Sequence, residues 1–376
     1  IVRRFDIAVD TAAYYELETR FHQMAHRHRF DLVRDVSSLS KMEEFHLQYL
    51  DGSLYTPAFN YDGPGAGTGN RTFTIGLYGN VPVEYGGSWP TTEQDWQAGS
   101  DAWAEWFQQN APNVSISKYL FPDEPDSSGD FRKIRKQGTW THSNQGPGGS
   151  IPTYVTYPVS ERISDHVDIW STAGAWAHPG LSPGTDVDLL AEELENGKQW
   201  AFYNGYRPIS GCQVIDADAV EFRVIPWIMW KYDVDQYFYW MTTYWTQWVN
   251  NNKDTNVYVE AQTMEYLRMG AGTFFYPGRD MQYPSQDRGL DGPISSIRMK
   301  NWRRGAQDYE YLHLAASLGL TDEVDQLVDE LVPAALWEAD LNGNISWPDT
   351  GYGFEAIRRE LADMIEAATD PGTLLD

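Results

Sequence analysis

Cysteine is almost missing from this sequence. Cys212 stands alone among 376 residues. That excludes an internal disulfide framework and a cysteine-rich zinc or iron–sulfur site, and Cys212 itself reads as a small buried filler. Positive charge is also short. Against 54 Asp and Glu stand 28 Lys and Arg, so the net charge is −26. Lysine is scarce, and Arg supplies most of the cations. Such a surface repels nucleic acid and anionic lipid, so neither is expected as a partner. The same balance suits a salt-rich medium. Long apolar runs are absent too: none approaches the ~20 residues of a membrane helix, so no membrane insertion is expected. No signal peptide is visible, yet the first residue is Ile1. The expectation is that a leader or a preceding domain has been removed.

What the chain does have is apolar and aromatic mass. Hydrophobic residues make up 41% and aromatics 14%, with 16 Trp and 23 Tyr. Part of this builds a core. A surplus suits a pocket that stacks on sugar rings, whose C–H faces are apolar.

Strand and helix patterns alternate along the chain. Strands are expected over 5–9, 30–36, 72–78, 115–122, 152–157, 166–172, 199–203 and 236–241. Between them lie helical patterns, one capped by Thr11 and running to His28, another over 91–109 with Trp96, Trp103 and Trp106 as a core stripe. The excursion over 37–70 is irregular, and its Gly-rich stretch 63–69 lacks the flanking strand and helix of a phosphate cradle. About eight strand–helix repeats predict an α/β fold of the (β/α)8 TIM-barrel type, with extra C-terminal helices. Domain boundaries follow: 1–318 as the catalytic barrel and 319–376 as a helical extension packed on it.

The organising stretch is 119–125, YLFPDEP. An apolar strand stops at two adjacent carboxylates, Asp123 and Glu124, and Pro125 closes it. Unpaired charge is costly to bury, so both acids belong at a rim. In α/β enzymes the rim at the C-terminal ends of parallel strands carries the chemistry. Paired carboxylates are the usual equipment of a sugar hydrolase. An ordinary retaining enzyme also needs a carboxylate nucleophile about 5 Å from its acid. The seventh predicted strand offers none, and Asp168 on the sixth is the available substitute. A sugar with a 2-acetamido group removes that need, because its own carbonyl oxygen can attack the anomeric carbon. Glu124 would then be the acid/base, and Asp123 would stay ionised and orient the acetamido group.

The acid pair, with three further segments, resembles glycoside hydrolase family 123 and the related domain of unknown function 4091. The segments are 222–239 (FRVIPWIMWKYDVDQYFY, continued by Trp240 and Trp245), 272–278 (GTFFYPG) and 292–312 (GPISSIRMKNWRRGAQDYEYL). The resemblance implies a (β/α)8 barrel that releases β-linked N-acetylgalactosamine with retention, by acetamido participation. It assigns the acetamido-orienting role to Asp123 and the acid/base role to Glu124. It also implies a β-sandwich ahead of the barrel, which is not expected within these 376 residues, and a glycine where Gln236 stands.

Aromatic residues near predicted strand ends are candidate sugar platforms: Tyr157, Trp170, Tyr203, Trp240 and Trp245, with Asn204 as a hydroxyl partner. His22 and His26 have a metal-binding spacing but no third ligand, and 340–344 starts like a calcium loop without its Gly and Glu. No metal and no cofactor is expected. Arg303, Arg304, Asp308 and Glu310 read as bracing ion pairs. The expected partner is a glycan or glycoconjugate, and the expected location is outside the cytoplasm or at the cell surface. Two other readings stay open: a retaining glycosidase with its own nucleophile, and a barrel that binds glycans without cleaving them.

Overall fold

Six short apolar segments pair side by side in chain order. They are β1 (Thr72–Ile75), β2 (Ser115–Tyr119), β3 (Thr153–Val155), β4 (Ile169–Ala173), β5 (Gln199–Tyr203) and β6 (Gln236–Phe238). Every pairing is parallel, in the order β1-β2-β3-β4-β5-β6. The computed structural model describes residues 2–247, 251, 253–260 and 269–369. Among these the main sheet is a curled half-barrel of six strands, and β1 and β6 are unpaired edges. The six strands are the third to eighth of the expected set.

The first two expected strands do not form. Val2–Phe5 is a helical turn, and 30–36 is irregular chain. The second failure has a local cause. Asp31 lies where a strand would begin laddering with β1, and its carboxylate takes the N–H groups of Arg71 at 2.7 Å and Thr72 at 3.1 Å. A side chain thus satisfies the backbone donors at the start of β1. The seam between β1 and β6 is bridged instead at its C-terminal end. There the Tyr78 hydroxyl donates to the Trp240 carbonyl at 3.3 Å, and its ring lies 6.3 Å from that of Phe238.

Helices cover the outside. Glu93–Asn110 starts at Thr92, whose side chain accepts from the Asp95 N–H. Its Trp96, Trp103 and Trp106 are buried as expected, and Trp103 stacks on Phe73 of β1 at 5.9 Å. Ile297–Ser317 crosses Ile225–Lys231, Thr321–Leu331 and Gly351–Thr369. Buried Asp308 fastens this layer. It accepts from Arg223 at 2.7 and 3.1 Å, Arg358 at 2.8 Å and Trp227 Nε1 at 3.2 Å. Arg304 pairs with Glu355 at 2.6 Å and Glu310 with Arg29 at 3.4 Å. Removing one partner of a buried ion pair costs about 3–5 kcal/mol, so Asp308 is a strong brace.

His22 is buried against Tyr49, and His26 stacks on Tyr55. Asp340 caps its own turn through Asn342 and Asn344. Cys212 is half-buried.

Strand parity decides what faces the interior. Thr74 of β1 and Ser117 of β2 meet there at 3.0 Å, as do Tyr154 of β3 and Ser171 of β4 at 2.7 Å. Leu77, Tyr119, Tyr154 and Ile169, with Val33 and Phe238 against them, close the interior beneath the C-terminal mouth. A cavity of about 950 Å³ reaches Ser115, Ser117, Pro152 and Gln199 at the N-terminal ends, and neither Asp123 nor Glu124 lines it.

Candidate active site

β2 ends at Tyr119, and the next four residues carry the chain over the rim to Asp123 and Glu124. Asp123 is half-buried and Glu124 exposed, at the mouth as the charge argument required. Two buried hydroxyls hold Asp123 through one oxygen. Tyr119 and Thr156 both donate to Oδ1, the latter at 2.7 Å. Thr156 lies at the end of β3, so a neighbouring strand supplies half of this grip. The same Thr156 Oγ1 accepts the backbone N–H of Glu124 at 3.1 Å. One hydroxyl therefore ties the side chain of the first acid to the backbone of the second.

Glu124 has φ +44°, in the left-handed region that non-glycine residues seldom occupy. Its Oε1 accepts from the Tyr203 hydroxyl at 2.5 Å. Tyr203 ends β5 and points inward by parity with Ala201 and Gln199. Both phenols that grip the acids hold their protons. Burial first, then the charge on Glu124, pushes Tyr203 far above its ordinary value. Burial and then Asp123 do the same for Tyr119. Among the described residues, the hydroxyls of Tyr119, Thr156 and Tyr203 orient the acids as neutral O–H donors.

Aromatic rings enclose the pair. Tyr119 to Tyr78, Tyr78 to Phe238 and Phe238 to Tyr203 stand 6.0, 6.3 and 6.2 Å apart. Tyr203 continues to Trp176 at 6.5 Å, and Trp176 to Tyr157 at 6.2 Å.

The structure sorts the expected sugar contacts. Tyr203 is beside Glu124, Tyr157 is at the rim beyond it, and Trp240 is at the seam next to Tyr78. Trp170 is a correction: it is fully buried and donates to Glu193 of the helix Val187–Glu195. Its neighbours Ile169 and Ser171 take the inward parity of β4, which sends the indole outward. Trp245 is also core, 3% exposed and bonded to the Phe275 carbonyl. Asn204 serves the chain rather than the mouth: its Oδ1 accepts from Trp240 N, and its carbonyl accepts from Gly174 N. Asp168 precedes β4, at the end of the sheet away from the acids. There it accepts from Thr153 N at 2.8 Å, Thr153 Oγ1 at 2.8 Å and His142 Nε2 at 3.0 Å. Among the described residues no group of three or more His, Cys, Asp or Glu could hold a metal.

Tyr78, Tyr119, Thr156 and Trp176 did not stand out in the sequence. Tyr119 carried a signal, being two positions on from inward Ser117. The other three depend on which strands lie side by side.

Adjacent acids at the C-terminal mouth of a parallel α/β sheet, ringed by aromatics, are the equipment of a glycoside hydrolase. Residues 161–315 match the family model for the glycoside hydrolase 123 catalytic domain, and the chain is a family 123-like glycoside hydrolase. The fold agrees with a family 123 glycoside hydrolase from Clostridium perfringens, studied for the details of glycolipid glycan hydrolysis. The TM-score is 0.57 at 12% identity, over 99% of this chain and 68% of that one. No curated protein sequence matches. The matched segment begins after Asp123 and Glu124 and does not include them.

Proposed function

We propose that this enzyme releases a terminal β-linked N-acetylhexosamine, with N-acetylgalactosamine favoured, and that the 2-acetamido group of the substrate acts as nucleophile. Glu124 gives its proton to the glycosidic oxygen while the acetamido carbonyl oxygen bonds to the anomeric carbon and the C–O bond to the leaving group breaks. Asp123 accepts the acetamido N–H and balances the positive charge of the oxazolinium ring. Glu124 then takes a proton from water, whose oxygen attacks the anomeric carbon and reopens the ring with retention. The observation that carries this reading is the position of Asp168. The substitute nucleophile lies at the far end of the strands, saturated by Thr153 and His142. Residues 1–318 act as the catalytic unit in this reading, and the glycan substrate puts its work outside the cytoplasm.

A panel of chromogenic glycosides tests it. Release from 2-acetamido substrates alone, blocked by a thiazoline mimic of the oxazoline, is expected. Comparable release from plain galactosides or glucosides would overturn it. So would azide rescue of Asp123→Ala with an inverted azide product.

A further inference from the structure

The half-barrel is hollow at the end away from the acids. In a closed barrel the interior is packed with layers of bulky branched side chains. Here the inward positions of the N-terminal half are polar: Thr72 and Thr74 on β1, Ser115 and Ser117 on β2, Gln199 on β5 and Gln236 on β6. All six line the cavity of about 950 Å³. That volume lies near the upper end of the ~300–1,000 Å³ of small-molecule sites. Water reaches the space. On β1 the inward Thr72 and Thr74 are half-buried, while Phe73 and Ile75, which face the helices, are buried. Arg71, Ser115, Ser150 and Asp235 are exposed and belong to the same lining, which puts the opening at the N-terminal ends of the strands. Leu77, Tyr154, Ile169 and Phe238 close the interior toward the acids, and along the seam the lining climbs to Trp240.

The chemistry of the walls narrows the ligand. The rim carries both signs of charge, in Arg71 and Asp235, and so favours neither an anion nor a cation. Asp31 is engaged by the N–H groups of Arg71 and Thr72, Asp235 by Trp200 N at 2.8 Å, and Arg29 by Glu310 at 3.4 Å. An acyl chain would strip water from six polar side chains and return no hydrogen bonds. A polyhydroxylated ligand returns them. Thr74 and Ser117 meet at 3.0 Å, a bond that uses one of their two hydroxyl protons, and each glutamine amide can both donate and accept. Flat apolar faces stand beside these groups, in Phe30 and Trp302. Trp302 is held in advance: it stacks on Tyr237 at 5.4 Å and donates to the Arg29 carbonyl at 3.2 Å. Hydroxyls and amides on one wall with rings on another match the edges and faces of a sugar.

We infer that this chamber is a second carbohydrate site, which binds a neutral saccharide at the end of the sheet opposite the acid pair. It stands independently of the roles given to Asp123 and Glu124.

Fluorine NMR of Glu124→Gln protein carrying fluorotryptophan tests it, with the Trp302 and Trp176 signals assigned from Trp302→Phe and Trp176→Phe. Trp302 reports on the chamber and Trp176 on the mouth. The probes are lactose, cellobiose and maltose, with sodium laurate as the apolar alternative. At least one disaccharide should move the Trp302 signal in a saturable way. Gln199→Leu with Gln236→Leu keeps the bulk and removes both amides, and should weaken that binding roughly five- to tenfold. Ser115→Phe, at the exposed start of β2, narrows the opening and should weaken it as well; it decides alone if the double variant does not fold. No movement of Trp302 with any disaccharide would mean a chamber that holds only water. Movement with laurate alone would make it a hydrocarbon site. A disaccharide that moves only Trp176, or moves Trp302 equally in parent and variants, binds elsewhere. Each of these three results overturns the proposal.

Discussion

The two ends of the curled sheet both carry carboxylates, and they use them differently. At the C-terminal end, Asp123 and Glu124 are held by the hydroxyls of Tyr119, Thr156 and Tyr203. At the N-terminal end, Asp31 and Asp168 take backbone N–H groups from β1 and β3, and Asp168 also takes His142. Backbone donors are fixed by the fold, so an acid that satisfies them is a structural cap. A neutral hydroxyl on a side chain steers a carboxylate but leaves it able to exchange protons and partners. The acids at the base take backbone N–H groups as well as the Thr72 and Thr153 hydroxyls, whereas the donors described for the acid side chains at the mouth are hydroxyls.

The largest break in this comparison comes from the mouth. Glu124→Gln should lower turnover by about 10²–10⁴-fold, with the melting temperature nearly unchanged; steady-state kinetics and a thermal scan check both. Loss of activity through unfolding would remove the distinction between the two ends.

Glu221 sharpens the comparison because its donors are poorly placed. It is fully buried, among the described residues neither oxygen makes a hydrogen bond of ordinary geometry although Trp347 and the Cys212 backbone lie near, and Arg207 stands 3.7 Å away. Burial, opposed in part by Arg207, pushes its pKa up to about 7. A raised carboxylate pKa means that the folded state prefers the proton. Stability is therefore undiminished below the usual carboxylate value of about 4.5 and falls as pH climbs from there to about 7. Glu221→Gln should gain up to roughly 2–3 kcal/mol relative to the parent at pH 8 and little at pH 4, read by denaturant titration.

The smallest effect belongs to the base. Asp168→Asn should leave kcat/KM within about twofold and lower Tm by roughly 1–3 °C. The bond to Asp168 raises His142 above its ordinary value. Burial pushes Asp168 up, but His142 and Thr153 outweigh it and hold Asp168 low. The His142 share is present below about pH 6.5 and lost as pH rises through its raised value; the Asp168 share is lost in acid. The deficit of the variant should thus be widest in mildly acidic solution. A large loss of turnover would return Asp168 to the list of nucleophiles.

Much of this was legible in the sequence, for local reasons. Six strands could be read because apolar runs ended in turns, and the first long helix because Thr11 caps it. The strand expected over 30–36 failed because the Asp31 side chain replaced a backbone ladder, which no hydrophobic pattern records. The acids could be placed at a rim because unpaired charge is costly to bury. Trp170 and Trp245 were misplaced because a Trp near a strand end can face either way, and parity had to be fixed by Ser171 and by the Phe275 contact. Thr156 and Trp176 could not be found, since their meaning comes from β3 lying beside β2 and from the turn after β4 resting on the end of β5.

The left-handed backbone at Glu124 has a consequence for how this sequence can drift. A side chain there works against its own main-chain torsion, at a cost of order 1–3 kcal/mol. Glycine would relax that position while deleting the carboxyl proposed as the proton donor. Selection for robustness alone would therefore erode the reaction, so copies that have stopped cleaving should tend to lose this glutamate early.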